Sequence, residues 1–155
     1  MPLKLTLKPF EKFLVNGAVI ENGSTRADLI IHNHVALLRQ KDIMKEENAT
    51  TPARRIFYLI QLLYISNDNR VERLKILNDS LVEFLMASPS SREIIQKINE
   101  DVLAGQYYRS LQACKKLIEH ETRILTYAAA QREPSLRADS EAGRSAQGDR
   151  SAGPD

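Results

Sequence analysis

The chain has 155 residues, 43% of them apolar and 27% charged, with a net charge of +2. This length suits one compact domain able to bury about two-thirds of its unfolded surface, so no metal or disulfide is needed to hold it together. A single cysteine, Cys114, excludes an intramolecular disulfide and fits a reducing, cytoplasmic setting.

The start, Met-Pro-Leu-Lys-Leu-Thr-Leu-Lys, alternates charge with apolar residues and contains no signal-peptide core. Leu3, Leu5 and Leu7 alternate with Lys4, Thr6 and Lys8, the period-two pattern of a half-buried strand with one dry face and one basic face. Lys12–Val15 and Ala18–Glu21 flank Asn16-Gly17, a hairpin signal, because both turn residues accept positive φ. Asn22-Gly23-Ser24 makes a second turn, and Ala27–His32 and Val35–Arg39 read as two more strands joined at Asn33. Five short strands in about 40 residues predict a small antiparallel sheet or barrel.

The period changes after residue 46. Thr51-Pro52 opens a helix, with Thr as cap and Pro where a missing N–H costs nothing. It runs to Ile65, and its apolar run, Ile56 to Ile65, is broken by Gln61 and spans about half of what a bilayer-crossing helix needs. A second helix over about 70–87 carries Val71, Leu74, Leu77, Leu81, Phe84 and Leu85 on one stripe. Pro89 stops it, and Ser90-Ser-Arg-Glu93 matches a capping box for a third helix with Ile94, Ile95, Ile98 and Val102, ending near Gly105. A fourth, over about 106–131, carries Tyr107, Leu111, Cys114, Ile118, Leu125 and Ala128. From Glu133 to Asp155 a single large apolar residue, Leu136, stands among Ser, Ala, Gly and Pro, a composition that predicts a disordered tail. The expected fold class is therefore α+β: a β-rich region over 1–46, a four-helix region over 47–132 and a tail over 133–155.

Enzyme signatures are missing from this pattern. No Gly-rich phosphate loop, serine elbow or paired cysteines occur, and His120-Glu121 is followed by Ile124 where a zinc helix needs its second histidine. His32 and His34 flank a turn, which favours two polar turn residues over a metal pair. Cys114 falls on the apolar stripe and reads as a small core residue. No catalytic residue, cofactor, metal or small-molecule substrate is expected.

Charge is concentrated at the front. Residues 1–45 carry seven Lys/Arg against four Asp/Glu, and residues 133–155 carry three against five. Lys4, Thr6 and Lys8 share one face of the first strand. With Arg39 of the fifth strand beside them they form a basic strip suited to holding phosphates and reading unpaired bases, the alternative being a solvated outer sheet face. Arg54-Arg55 opens the first helix, where the helix dipole gives cations no help, and makes a secondary candidate for anion contact. Tyr107 and Tyr108 suit an interface, one as core and one as rim.

Three blocks, Leu3–Gly23 (LKLTLKPFEKFLVNGAVIENG), Ala36–Ile43 (ALLRQKDI) and Thr51–Ile56 (TPARRI), occur in an order that resembles the FlbT family of flagellum biosynthesis repressors, a likeness covering about residues 1–130. The resemblance implies a bacterial cytoplasmic protein acting after transcription, which associates with the 5′ untranslated leader of flagellin mRNA and promotes its degradation or blocks its translation. More remotely, Leu3–Lys8 and Val35–Ile43 are similar in pattern to the first and last strands of CsrA-type RNA binders, which implies an RNA contact at Arg39 and a homodimer. The helices then dimerise or recruit a flagellar co-regulator. The alternative is a non-catalytic adaptor that holds flagellin or such a co-regulator in a groove between helices. Neither reading calls for a membrane.

Overall fold

The computed structural model describes the backbone of residues 2–148 and the side chains of residues 2–131. Five strands lead: β1 (Leu3–Leu7), β2 (Lys12–Val15), β3 (Ala18–Glu21), β4 (Ala27–Ile31) and β5 (Leu37–Arg39). Four α-helices follow: α1 (Pro52–Ile65), α2 (Arg70–Ala87), α3 (Arg92–Leu103) and α4 (Tyr107–Gly148). The fold class is α+β, as expected from the change of period. The chain divides into two compact units, Met1–Ile118 and Glu119–Asp155.

The strands form two antiparallel sheets, β1–β4 and β3–β2–β5. The β2–β3 hairpin is nested inside the β1–β4 pair, and β5 returns to the free side of β2. Asn16 and Gly17 both adopt positive φ, 48° and 86°, as an Asn-Gly hairpin turn requires. Asn16 also ties the turn to the start of β5, donating its amide N–H to Ala36 O and accepting from Ala36 N through Oδ1. Asn22 Nδ2 joins the two sheets' connections by donating to Lys8 O and Thr25 O.

Thr51 caps α1, its hydroxyl accepting from Arg54 N at 3.3 Å, with Pro52 in the first turn. The expected capping box does not set the start of α3. Pro89–Ser91 forms a 3-10 turn, so the cap position moves to Ser91, whose hydroxyl donates to Ser88 O. Gly105, at φ 71°, closes α3: its N–H donates to Val102 O, and Gln106 N donates to Asp101 O.

One buried cluster unites Leu14 of β2 and Leu38 of β5 with Ile56, Ile60 and Leu63 of α1, Leu77 of α2, Ile98 of α3 and Leu111 and Leu117 of α4. Cys114 sits within it, Sγ 3.7 Å from Ala53 O. Gln61, the polar break in the apolar run, is 2% exposed. It forms an amide clamp on the loop before α1, accepting from Met44 N at 2.8 Å and donating to Met44 O at 2.9 Å.

Three stripe positions depart from expectation. Val71 is exposed, because it lies in the first turn of α2, ahead of the residues that reach the core. Leu125 and Ala128 are exposed in the second unit, whose described residues all belong to α4. Helical backbone continues to Gly148, past the expected end near 131. The side chains of the expected tail over 133–155 lie outside the described residues. No helix among the described residues is long and apolar enough to cross a membrane.

Candidate nucleic-acid interface

β1 projects Lys4 and Thr6 to one side while Leu5 and Leu7 are buried, as the alternation requires. The register sets Thr6 opposite Asp28 of β4. Thr6 Oγ1 donates to Asp28 Oδ1 at 2.8 Å, and Lys4 Nζ lies 3.5 Å from Asp28 Oδ2. The Thr6 hydroxyl and then the Lys4 charge hold the Asp28 carboxyl below its ordinary range.

Arg39 does reach β1. Its Nη2 donates to Thr6 O at 2.8 Å and to both carboxylate oxygens of Glu11 at 3.0 and 3.1 Å. Glu11 Oε2 also accepts from Lys8 N at 2.9 Å. That backbone N–H, helped by Arg39, holds the Glu11 carboxyl below its ordinary range. The structure thus gathers Lys4, Thr6, Lys8 and Arg39 around one strand. It also threads two carboxylates, Asp28 and Glu11, among them, so the strip is largely charge-compensated.

Arg54 and Arg55 are separated from this strip and from each other. Arg54 is partly buried and lines a small cleft with Lys41, Asn48 and Lys115, whereas Arg55 is exposed. His32 and His34 are both exposed. No group of three or more His, Cys, Asp or Glu among the described residues is placed to hold a metal.

A cleft of about 610 Å³ lies where β1, β5, the end of α1 and the start of α4 converge. Its walls include three tyrosines, Tyr64, Tyr107 and Tyr108, and three cations, Arg39, Lys41 and Arg109. The volume falls within the range of about 300–1,000 Å³ usual for ligand sites. Two of the tyrosines are committed to the fold. Tyr64 OH accepts from Leu37 N at 3.0 Å and donates to Leu37 O. Tyr107 accepts a hydrogen bond from Arg70, whose guanidinium also stacks 5.0 Å over its ring. Tyr108 is 48% exposed, its ring tilted against Tyr64 with centroids 6.1 Å apart. Lys41 and Arg109 are exposed and have no ion pair among the described residues.

Residue type and position single out Tyr107 and Tyr108 but not Tyr64, Lys41 or Arg109. The run Tyr107-Tyr108-Arg109 directly after a helix-ending glycine was the available signal, since it puts rings and charge together at an element boundary.

The description "Flagellar protein FlbT" matches residues 3–125. The chain is 39% identical over 131 residues to "Probable flagellum biosynthesis repressor protein FlbT" of Caulobacter sp. (strain K31), covering 83% of this chain and 100% of that one. It is 37% identical over 132 residues to a protein of the same description from Caulobacter vibrioides (strain NA1000 / CB15N), covering 84% and 94%. To a third, from Rhodopseudomonas palustris (strain TIE-1), it is 36% identical over 126 residues, covering 81% and 99%. No solved structure matches. On the strength of these matches, the chain belongs to the FlbT family of flagellar proteins.

Proposed function

We propose that this protein is a non-catalytic, cytoplasmic post-transcriptional repressor of flagellin synthesis. It associates directly with the 5′ untranslated leader of flagellin mRNA and lowers translation or hastens decay. The repressor role follows the names of its relatives. The observation that carries the RNA reading is the cleft at the foot of α4, which combines tyrosine rings with Lys41 and Arg109, cations with no ion pair among the described residues. Rings accept unstacked bases and cations accept phosphates, the two contacts single-stranded RNA offers.

An adaptor for flagellin or a flagellar co-regulator is the second reading. All four residues of β3 are exposed, Val19 and Ile20 among them, on a strand that pairs on one side alone.

Salt separates the two. Binding of purified protein to a flagellin leader, against a scrambled RNA, is expected to prefer the leader and to weaken at least tenfold between low and moderate salt. No preference for the leader at low salt overturns direct RNA recognition. Salt-insensitive capture of a flagellar protein instead supports the adaptor.

A further inference from the structure

Tyr108 and Arg109 line two clefts at once. The first is the tyrosine cleft just described. The second, about 670 Å³, lies along α3 and α4 and includes Ile94, Lys97, Asp101 and Lys116. Neighbouring positions on α4 thus form a ridge common to both.

Cations around the ridge differ in how committed they are. Arg39 is held by Glu11, Lys97 by Asp101 at 3.1 Å, and Lys115 by Asp42 at 3.2 Å. Lys41 in the first cleft, Arg109 in both and Lys116 in the second are exposed and have no ion pair among the described residues. Three cations without an ion pair among the described residues therefore run from one cleft to the other, with the half-exposed Tyr108 ring between them; Asp42, bound to Lys115, lines the first cleft and Glu93 the second.

We propose, building on the RNA reading above, that the two clefts form one track for an unpaired stretch of RNA. A base stacks on Tyr108, and phosphates lie against Lys41 on one side and Arg109 and Lys116 on the other. A stacking platform needs a base free of its own neighbours, so the track takes single strands and rejects duplex. Lys4, tied to Asp28, lines neither cleft.

The test is fluorescence anisotropy with a labelled, unstructured RNA of about ten nucleotides cut from the leader, the same RNA annealed to its complement, and the full leader. Circular dichroism confirms the fold of each variant. Tyr108→Ala is expected to weaken single-strand binding roughly 5- to 100-fold, and Tyr108→Phe to restore it. The pair Arg109→Ala with Lys116→Ala is expected to lower the salt slope by about 1.4. Lys75→Ala, exposed on α2 and lining neither cleft, is expected to leave the short RNA's affinity unchanged. If the wild-type protein binds the leader but these ridge variants match it, or if duplex binds as well as single strand, the track is overturned while the RNA reading stands. If the wild type binds no RNA above a scrambled control, both fall.

Discussion

Arg39 sits 29% exposed against a Glu11 side chain that is 15% exposed, and its guanidinium bridges that carboxylate to the β1 backbone at Thr6 O. A residue so placed joins elements as well as carrying charge. Arg39→Ala is therefore expected to lower the urea midpoint, so an affinity loss in that variant must be read beside its stability. The carboxylates give the same region a pH dependence with a definite sign. Glu11 and Asp28 titrate below their ordinary values of 4.5 and 3.8 in the folded state. Their contribution to stability is therefore complete above those values and is lost as pH falls through the lower folded ones. Thermal melts taken from about pH 6 down to about pH 3 should show a wild-type drop at the acid end that Glu11→Gln reduces. An equal drop in that variant would assign the acid sensitivity to other carboxylates.

At the scale of elements, the connections are held as tightly as the helices. The loop between β5 and α1 has no ladder to satisfy its backbone, and Gln61 reaches out of a buried helix face to take both the N–H and the C=O of Met44. Gln61→Leu keeps the size and removes both partners, stranding two backbone groups in a part-buried setting. A loss of about 1–3 kcal/mol in denaturant unfolding is expected. The β2–β3 turn is similarly demanding, since a Cβ on Gly17 would meet Ile65 O at 3.1 Å while φ stays at +86°. It is the close approach of the end of α1, as much as the turn type, that requires glycine here.

Across the first unit, β2 and β5 share one apolar core with the helices, while Leu5, Leu7 and Phe13 are buried outside that cluster. Ile98 is fully buried in the same cluster as Leu14 and Leu38. Ile98→Ala is expected to cost about 2–5 kcal/mol, and strand and helix amides in residues 1–118 should lose hydrogen-exchange protection together. Strand amides that keep full protection while helix amides open would mean that the β-rich part is stable by itself. The same packing positions the candidate site. β5, the end of α1 and the start of α4 are far apart in the chain but meet around Tyr64 and Tyr108.

Local rules in the sequence determined the elements themselves. Alternation at Leu3–Lys8, Asn16-Gly17, Thr51-Pro52 and the stripe Ile95, Ile98, Val102 each act within a few residues, so β1, the hairpin, the start of α1 and the buried face of α3 were legible. The family likeness was legible too, because its blocks are contiguous. The distribution of five strands over two sheets was not, since it depends on β5 choosing β2 and β4 choosing β1, pairings across long intervals of chain. The candidate site divides the same way. Residue spacing puts Lys4, Thr6 and Lys8 on one face, and the tertiary structure brings Arg39 to them. Only the tertiary structure brought Asp28 and Glu11 into that group, and only it set Lys41 and Tyr64 beside Tyr108 and Arg109. Charge counted along a chain carries no record of which opposite charge folding will place beside it, and availability for any anionic partner depends on that pairing.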